Sequence, residues 1–275
     1  MLKNCQERTS FGKFDGKAGL KMQREDKLKI LEQALTICLP VSIFFLAAMC
    51  SSAVSVRRNH LGVFAIWIVT AMLLRYYIAE KNKGRTGKAN FLFRWEWLYE
   101  NREFSICLTI VFFSRLFMFV KIPRGDAAIY YNSLVNCCRN FDFSFQSFFE
   151  SFRLAGHPTL GYAFFMSMGE FLTPGCLVGV LTVNLILTIT AMYNLYQLLQ
   201  GYWMQASKCR AAIYTMIVFS VPLFWGTFSY INPDYNIVIF FLFMVYAESR
   251  KRYVSMLFWL IILCMTKETA MLVIE

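Results

Sequence analysis

PTLGYAFFMSMGEFLT, residues 158–173, is the stretch on which the architecture turns. Pro158 and Pro174 bracket it, and its 16 residues make about 24 Å of helix at 1.5 Å per residue. A bilayer's hydrocarbon core is about 30 Å thick and asks for roughly 20 apolar residues. The stretch also carries Gly161, Gly169 and Glu170. It reads as a re-entrant or interfacial helix and not as a crossing. That choice sets the side of the membrane on which every later segment emerges.

Working outward, 57% of the 275 residues are hydrophobic and 16% are charged. A soluble domain of this length carries more charge. Apolar runs at 34–56, 61–79, 104–121, 176–199, 210–229, 235–248 and 253–266 read as membrane helices. The weak alternation within them argues against a barrel. The fold class is therefore all-α: a multi-pass helical protein of the cell membrane with about seven spans, plus interfacial or re-entrant helices in its first large outer loop.

The 28 Lys and Arg exceed the 17 Asp and Glu, giving +11. No basic stripe is interleaved with exposed aromatic residues, so nucleic-acid binding is not expected. Basic residues instead hold cytoplasmic loops inside. With 158–173 non-spanning and the N-terminus inside, 19 of the 28 lie in inner segments and 7 in outer ones. A crossing at 158–173 would turn Arg250-Lys251-Arg252 outward, against this rule.

Residues 1–33 form a cytoplasmic basic tail, expected to lack stable structure until about Asp26. The first apolar run lies too far from the N-terminus to be a cleaved signal peptide and is read as a retained span. Residues 34–103 supply two N-terminal spans, joined at Arg57-Arg58-Asn59-His60, and a basic loop. In that loop, Phe91 to Trp97 mixes Trp with charge as interfacial segments do. In the outer loop 122–157, Phe145, Phe148, Phe149 and Phe152 recur at i, i+3, i+4 and i+7, opposite Gln146 and Glu150. This face is expected to lie flat on lipid. The nine cysteines show no metal-ligand spacing and there are two histidines, so no structural zinc is expected. Cys137-Cys138 receive no role.

Chemistry concentrates in polar clusters that this topology returns to the outer face: Asp126, His157, Asn232-Pro233-Asp234 and Lys267-Glu268. Ionisable groups at the rim of apolar helices mark a functional site. Asp126 is either a general base or a loop residue pairing with Arg124. His157 either does chemistry or simply precedes a helix begun by Pro158. Asn232-Pro233-Asp234 is also ordinary turn composition. Lys267 either binds a phosphate as a point charge or is neutralised by Glu268. Arg115, inside the third span, either snorkels outward or pairs with Asp126.

Arg115, Asp126, His157-Pro158-Thr159-Leu160-Gly161, Pro233-Asp234 and Thr266-Lys267-Glu268-Thr269 resemble, in order and sidedness, the C-type integral-membrane glycosyltransferases. The likeness is to the protein O-mannosyltransferase and lipid A aminoarabinose transferase group. It covers residues 104–275 and leaves out 1–103. It implies inverting transfer of a sugar from a polyprenyl-phosphate carrier to an acceptor hydroxyl on a protein, lipid or glycan. Asp126 would be the base and Asp234 a second acid. His157, Lys267 and Arg115 would hold the carrier phosphate, with Glu268 and Asn232 in support. No organic cofactor is implied, and a divalent metal requirement is left open. Members of the family run longer, so the module 104–275 is expected to be incomplete at its C-terminal end. Two other classes compete. One is a cell-envelope polysaccharide polymerase or flippase-like protein, for which Gly125-Asp126 and Tyr130-Tyr131 would be the loop signature. The other is a non-enzymatic transporter or scaffold, which would show broken helices at midplane and an internal repeat.

Overall fold

The computed structural model describes residues 16–52, 61–82, 99–120, 122–157, 159–222, 224, 226 and 231–273. These residues are mostly helical, with no strand among them. Helix α1 runs Gly16–Cys50 and α2 Leu61–Asn82. Helix α3, Arg102–Leu116, continues as a 3-10 turn to Val120. Three shorter helices follow: α4 at Asp126–Arg139, α5 at Phe145–Ser151 and α6 at Leu160–Leu172. Helix α7 covers Leu177–Leu198, α8 Lys208–Ser220, α9 Pro233–Ser249 and α10 Tyr253–Cys264. The expected connection at 57–60, the interfacial segment 91–97, Lys121 and Pro158 lie outside the described residues.

Among the described residues, four segments are long and apolar enough to cross a membrane: Gln23–Cys50, Gly62–Asn82, Arg102–Val120 and Leu177–Gly201. Helix α9 has 17 residues and α10 has 12, both below the usual length of a crossing.

Side-chain contacts fix the helix directions. Ser42 meets Thr70 at 2.6 Å and Arg24 pairs with Glu80 at 3.5 Å, so α1 and α2 are antiparallel. Lys208 donates to the Glu100 carbonyl at 2.9 Å and Arg115 to the Phe219 carbonyl at 2.7 Å, so α3 and α8 run parallel. Thr188 meets the Tyr235 hydroxyl at 2.7 Å and Arg250 reaches Gln197 at 3.3 Å, so α7 and α9 are parallel too. Helices α9 and α10 form an antiparallel hairpin, closed at one end by Lys267 and Asp234.

Helix α6 occupies a special place in this frame. Its first turn lies on the end of α10: the Gly161 N–H donates to the Met265 carbonyl at 2.7 Å, and a Cβ on Gly161 would sit 2.2 Å from the Ile262 carbonyl oxygen. Its last turn lies on the start of α7, where a Cβ on Gly169 would sit 2.4 Å from Gly179 backbone. The start of α7 and the end of α10 are at the same end of the bundle. Helix α6 thus connects the end of α10 to the start of α7, and Phe165 in its middle packs on Phe240 of α9 and Trp259 of α10. Glycine at each crossing lets the backbones touch.

Two local expectations change. The N-terminal helix begins at Gly16, well before Asp26. Its Lys, Gln, Arg, Glu and Leu content favours helix, and Arg24 anchors it by an ion pair to the Glu80 carboxylate and a hydrogen bond to the Glu80 carbonyl. The aromatic face of α5 also docks on protein instead of lipid. Phe148 and the fully buried Phe152 pack edge-on against Phe44 of α1, at ring-centre distances of 5.6 and 6.3 Å, while Phe149 stays exposed. Phe44 also stacks on Phe164 at 5.0 Å and touches Phe141 and Phe171. The N-terminal pair is thus built into the bundle through one ring. A small apolar cleft of about 120 Å³ opens beside it, between Val41 and Phe45 on one wall and Phe143 and Phe148 on the other.

Candidate functional site

The site forms where four chain segments end at one rim of the bundle. The first is the entry to α9. Asn232 caps that helix, its side-chain oxygen accepting from the Asp234 N–H at 3.0 Å, and Pro233 occupies the first turn. Proline and an Asn cap are ordinary helix-start chemistry. They also fix Asp234 at the rim. Just before them, Ile231 adopts φ +47°, an unusual conformation for a β-branched residue. The buried Tyr162 hydroxyl donates to the Ile231 carbonyl at 2.7 Å and holds it there.

The second segment follows α10. Thr266 is buried and turns its hydroxyl back to the Ile262 carbonyl at 2.7 Å, leaving Lys267 directed across to α9. The Lys267 ammonium contacts both Asp234 carboxylate oxygens, at 2.8 and 3.0 Å. Burial pulls the Lys267 pKa down, but the hydrogen bond and charge of Asp234 outweigh it and leave the group above its ordinary value. Lys267 is neutralised by Asp234, and Glu268 instead reaches the imidazole Nδ1 of His157 at 3.3 Å. The Glu268 pKa is lowered, first by its own backbone N–H and then by His157.

The third segment carries His157. It ends a 3-10 turn, Leu154–Gly156, which precedes α6. The helix itself begins at Leu160, after Thr159, whose buried hydroxyl accepts from the Leu154 N–H at 3.1 Å. The fourth segment is α4. Gly125 at φ +58° turns the chain so that Asp126 opens the helix, exposed and in its first turn. Tyr130, one turn further on, has a buried ring that sits in the field of Lys267, Asp234, Asp126 and Glu268. Burial raises its pKa and Lys267 opposes the rise.

Asp234 meets Lys267 and Asn232, and Glu268, next to Lys267 in the chain, meets His157, whereas Asp126 opens α4 one turn before Tyr130. Arg115 stands apart. It neither snorkels nor pairs with Asp126: it is fully buried, bonded to the Phe219 carbonyl at 2.7 Å, and its charge acts on Tyr235, the residue after Asp234. The sequence offered Tyr130 only as part of a Tyr130-Tyr131 loop signature and not as a neighbour of Asp126. Its spacing of four from Asp126 was the available signal, because residues at i and i+4 share a helix face.

A second buried acid lies at the far end of α6. The Glu170 Oε1 accepts from the Gly175 N–H at 2.6 Å, and the buried Tyr131 hydroxyl stands near enough to act on the carboxyl. Burial raises the Glu170 pKa. Nearby, burial pushes the Cys137 thiol up to about 11, which makes it a poor nucleophile. Among the described residues, no three His, Cys, Asp or Glu side chains are arranged to hold a metal ion.

Chemically, the rim offers one exposed carboxylate, one ammonium with a carboxylate counter-ion, one imidazole–carboxylate pair and one phenol, above an apolar bundle. No protein-family model matches this chain, and no curated protein or solved structure matches it.

Proposed function

We propose that this protein is a membrane glycosyltransferase that moves a sugar from a polyprenyl-phosphate carrier to an acceptor hydroxyl at the extracytoplasmic face, with inversion. The observation that carries the reading is the rim cluster itself. A base, Asp126, and a cation, Lys267, stand at one end of an apolar helical bundle, where a lipid-linked substrate presents its head group.

The orientation follows from charge. Arg24, Lys81, Arg102, Lys208, Arg250 and Arg252 lie at the end opposite the cluster. Basic ends face the cytoplasm, so the cluster faces out. In this reading α1, α2, α3, α7, α8, α9 and α10 are the seven crossings, and α4 to α6 form the outer layer.

The reaction is a displacement at the anomeric carbon. The Asp126 carboxylate takes the proton of the acceptor hydroxyl. The acceptor oxygen forms its bond to the anomeric carbon as the carbon–phosphate oxygen bond breaks. The bonding pair leaves on the phosphate, where Lys267 and His157 stabilise the growing charge. Arg115 adds a buried positive charge below Asp234. Polar groups at the rim, away from midplane, favour this reading over a transporter, whose substrate site would lie between broken helices.

The test is transfer from a polyprenyl-phosphate sugar by the full-length protein. Asp126→Asn and Lys267→Ala are each expected to abolish transfer while membrane insertion persists. Undiminished turnover in Asp126→Asn would remove the base.

A further inference from the structure

We infer that the cleft beside Phe44 is a binding site for one acyl chain of a bilayer phospholipid, which completes the joint between α1 and the layer formed by α4 to α6. The occupant does not depend on whether the rim transfers a sugar. None of the cluster residues lines the cleft.

The walls select hydrocarbon. The cleft holds about 120 Å³, and of the eight described residues that line it, seven are Phe or Val. The eighth, Ser144, is exposed. A cavity of about 150 Å³ lined by Leu, Ile and Phe stays dry and takes up benzene. Water gains nothing here, because a buried water needs roughly two to four polar partners. An apolar chain gains by leaving no void between the rings.

The depth supplies it. Ser255 meets Thr36 at 3.2 Å and Arg252 meets Glu32 at 2.9 Å, so α1 and α10 run parallel and Cys50 ends α1 at the rim that carries the cluster. Phe45 and Val41 lie five and nine residues before Cys50. At 1.5 Å per residue they are about 8 and 14 Å below that end. Both are half-buried and share one face of α1. Helices α1 and α2 bury only 22% and 11% of their apolar stretches, against 56% for α7, so lipid surrounds this hairpin. At this depth the bilayer presents acyl chains.

The opposite wall is built for an amphiphile. Helix α5 exposes Gln146 and Glu150, joined at 2.8 Å, and turns Phe148 to the cleft. A polar face backed by an aromatic one is the pattern of a helix seated among phospholipids. Just before it, Phe143 adopts φ +64°, an uncommon backbone for a bulky residue, and its ring lines the cleft. The Asp142 carboxylate accepts from the Ser144 N–H at 3.0 Å and braces this bend. An acyl chain between Val41 and Phe143 therefore touches α1 and the approach to α5 together.

The experiment places the full chain in nanodiscs containing a phosphatidylcholine with a photoactivatable diazirine midway along one chain, and maps the labelled peptides by mass spectrometry. Label is expected on residues 143–148 at a level above that on Ile68 and Met72, which are exposed on α2 and report passing lipid. Val41→Trp fills the cleft from α1 and Ser144→Trp from the other wall. Each is expected to remove the label from 143–148 and to leave that on α2 unchanged. Thermal melting shows which variants fold, and Ser144, being exposed, tolerates the larger side chain. Wild-type label on 143–148 no higher than on α2, or undiminished label in a folded filling variant, overturns the site. Loss of the wild-type label on adding polyprenyl phosphate assigns the cleft to an isoprenoid chain and overturns the phospholipid as its occupant.

Discussion

Lys267 grips both oxygens of Asp234, at 2.8 and 3.0 Å, and so ties the end of α10 to the start of α9. The two side chains are 20% and 45% exposed, between the surface and the interior. Exposed ion pairs contribute little, and buried ones are costly to break from one side. A double-mutant cycle with Lys267→Met and Asp234→Asn is expected to give a coupling of about 1 kcal/mol in chemical denaturation. A coupling indistinguishable from zero would show that the pair does not hold the hairpin.

The seating of α6 against α10 and α7 depends on two close backbone approaches. Gly161→Ala places a methyl 2.2 Å from the Ile262 oxygen, and Gly169→Ala places one 2.4 Å from Gly179. Neither neighbour is a movable side-chain tip, so each substitution is expected to cost about 1–3 kcal/mol by forcing the helices apart. Gly62→Ala is the control, since nothing lies within 4 Å of that position. It is expected to be neutral or to add up to about 1 kcal/mol through helix propensity. Equal melting temperatures for all three would refute the crossing geometry.

Phe44 joins α1 to the outer layer through rings on α4's exit, α5 and α6. It is 1% exposed. Phe44→Ala is expected to cost about 3–5 kcal/mol. Limited proteolysis of that variant should show faster cleavage between α4 and α6 than in α7 to α10. Uniform protection would mean that α1 does not support the outer layer.

Much of this arrangement was legible in the residues. Apolar runs at 176–199 and 253–266 became Leu177–Leu198 and Tyr253–Cys264, because hydrocarbon burial leaves little choice of helix register. The short length of 158–173 foretold a short helix, and α6 has 13 residues, Leu160–Leu172. Partner choice was not legible. Lys267 has Glu268 beside it in sequence, yet Thr266 turns back onto Ile262 and Lys267 faces α9. Arg115 looked long enough to snorkel, but a carbonyl on α8 lies nearer than the rim. The spacing of Phe145, Phe148, Phe149 and Phe152 predicted an apolar face without saying whether lipid or Phe44 would cover it.

Glu170 gives the fold a pH dependence of known sign. Its burial raises its folded-state pKa above the unfolded value. Between those two values the folded protein holds a proton that the unfolded chain has lost. Stability therefore falls as pH rises through this window and levels off above the folded value. Glu170→Gln keeps an acceptor for the Gly175 N–H and removes the titration. Melts from about pH 4 to about pH 8 should show the variant gaining on wild type as pH rises. A gap that stays constant, or closes with rising pH, would contradict a buried carboxyl at this turn.

Native cysteines provide a direct reading of the topology. Cys176 is exposed at the start of α7, on the rim that carries the cluster. Cys209 is exposed at the start of α8, on the opposite rim beside Lys208 and Arg210. Two variants, each retaining one of these thiols and no other cysteine, separate the rims. In intact cells a membrane-impermeant maleimide is expected to label the Cys176 variant and to spare the Cys209 variant until the membrane is opened. The reverse pattern would place the cluster in the cytoplasm, where the basic residues beside Cys209 would then face outward against the charge rule. Labelling of both from one side would mean that α7 returns to the face it left, which the parallel contacts of Thr188 with Tyr235 and Gln197 with Arg250 do not permit.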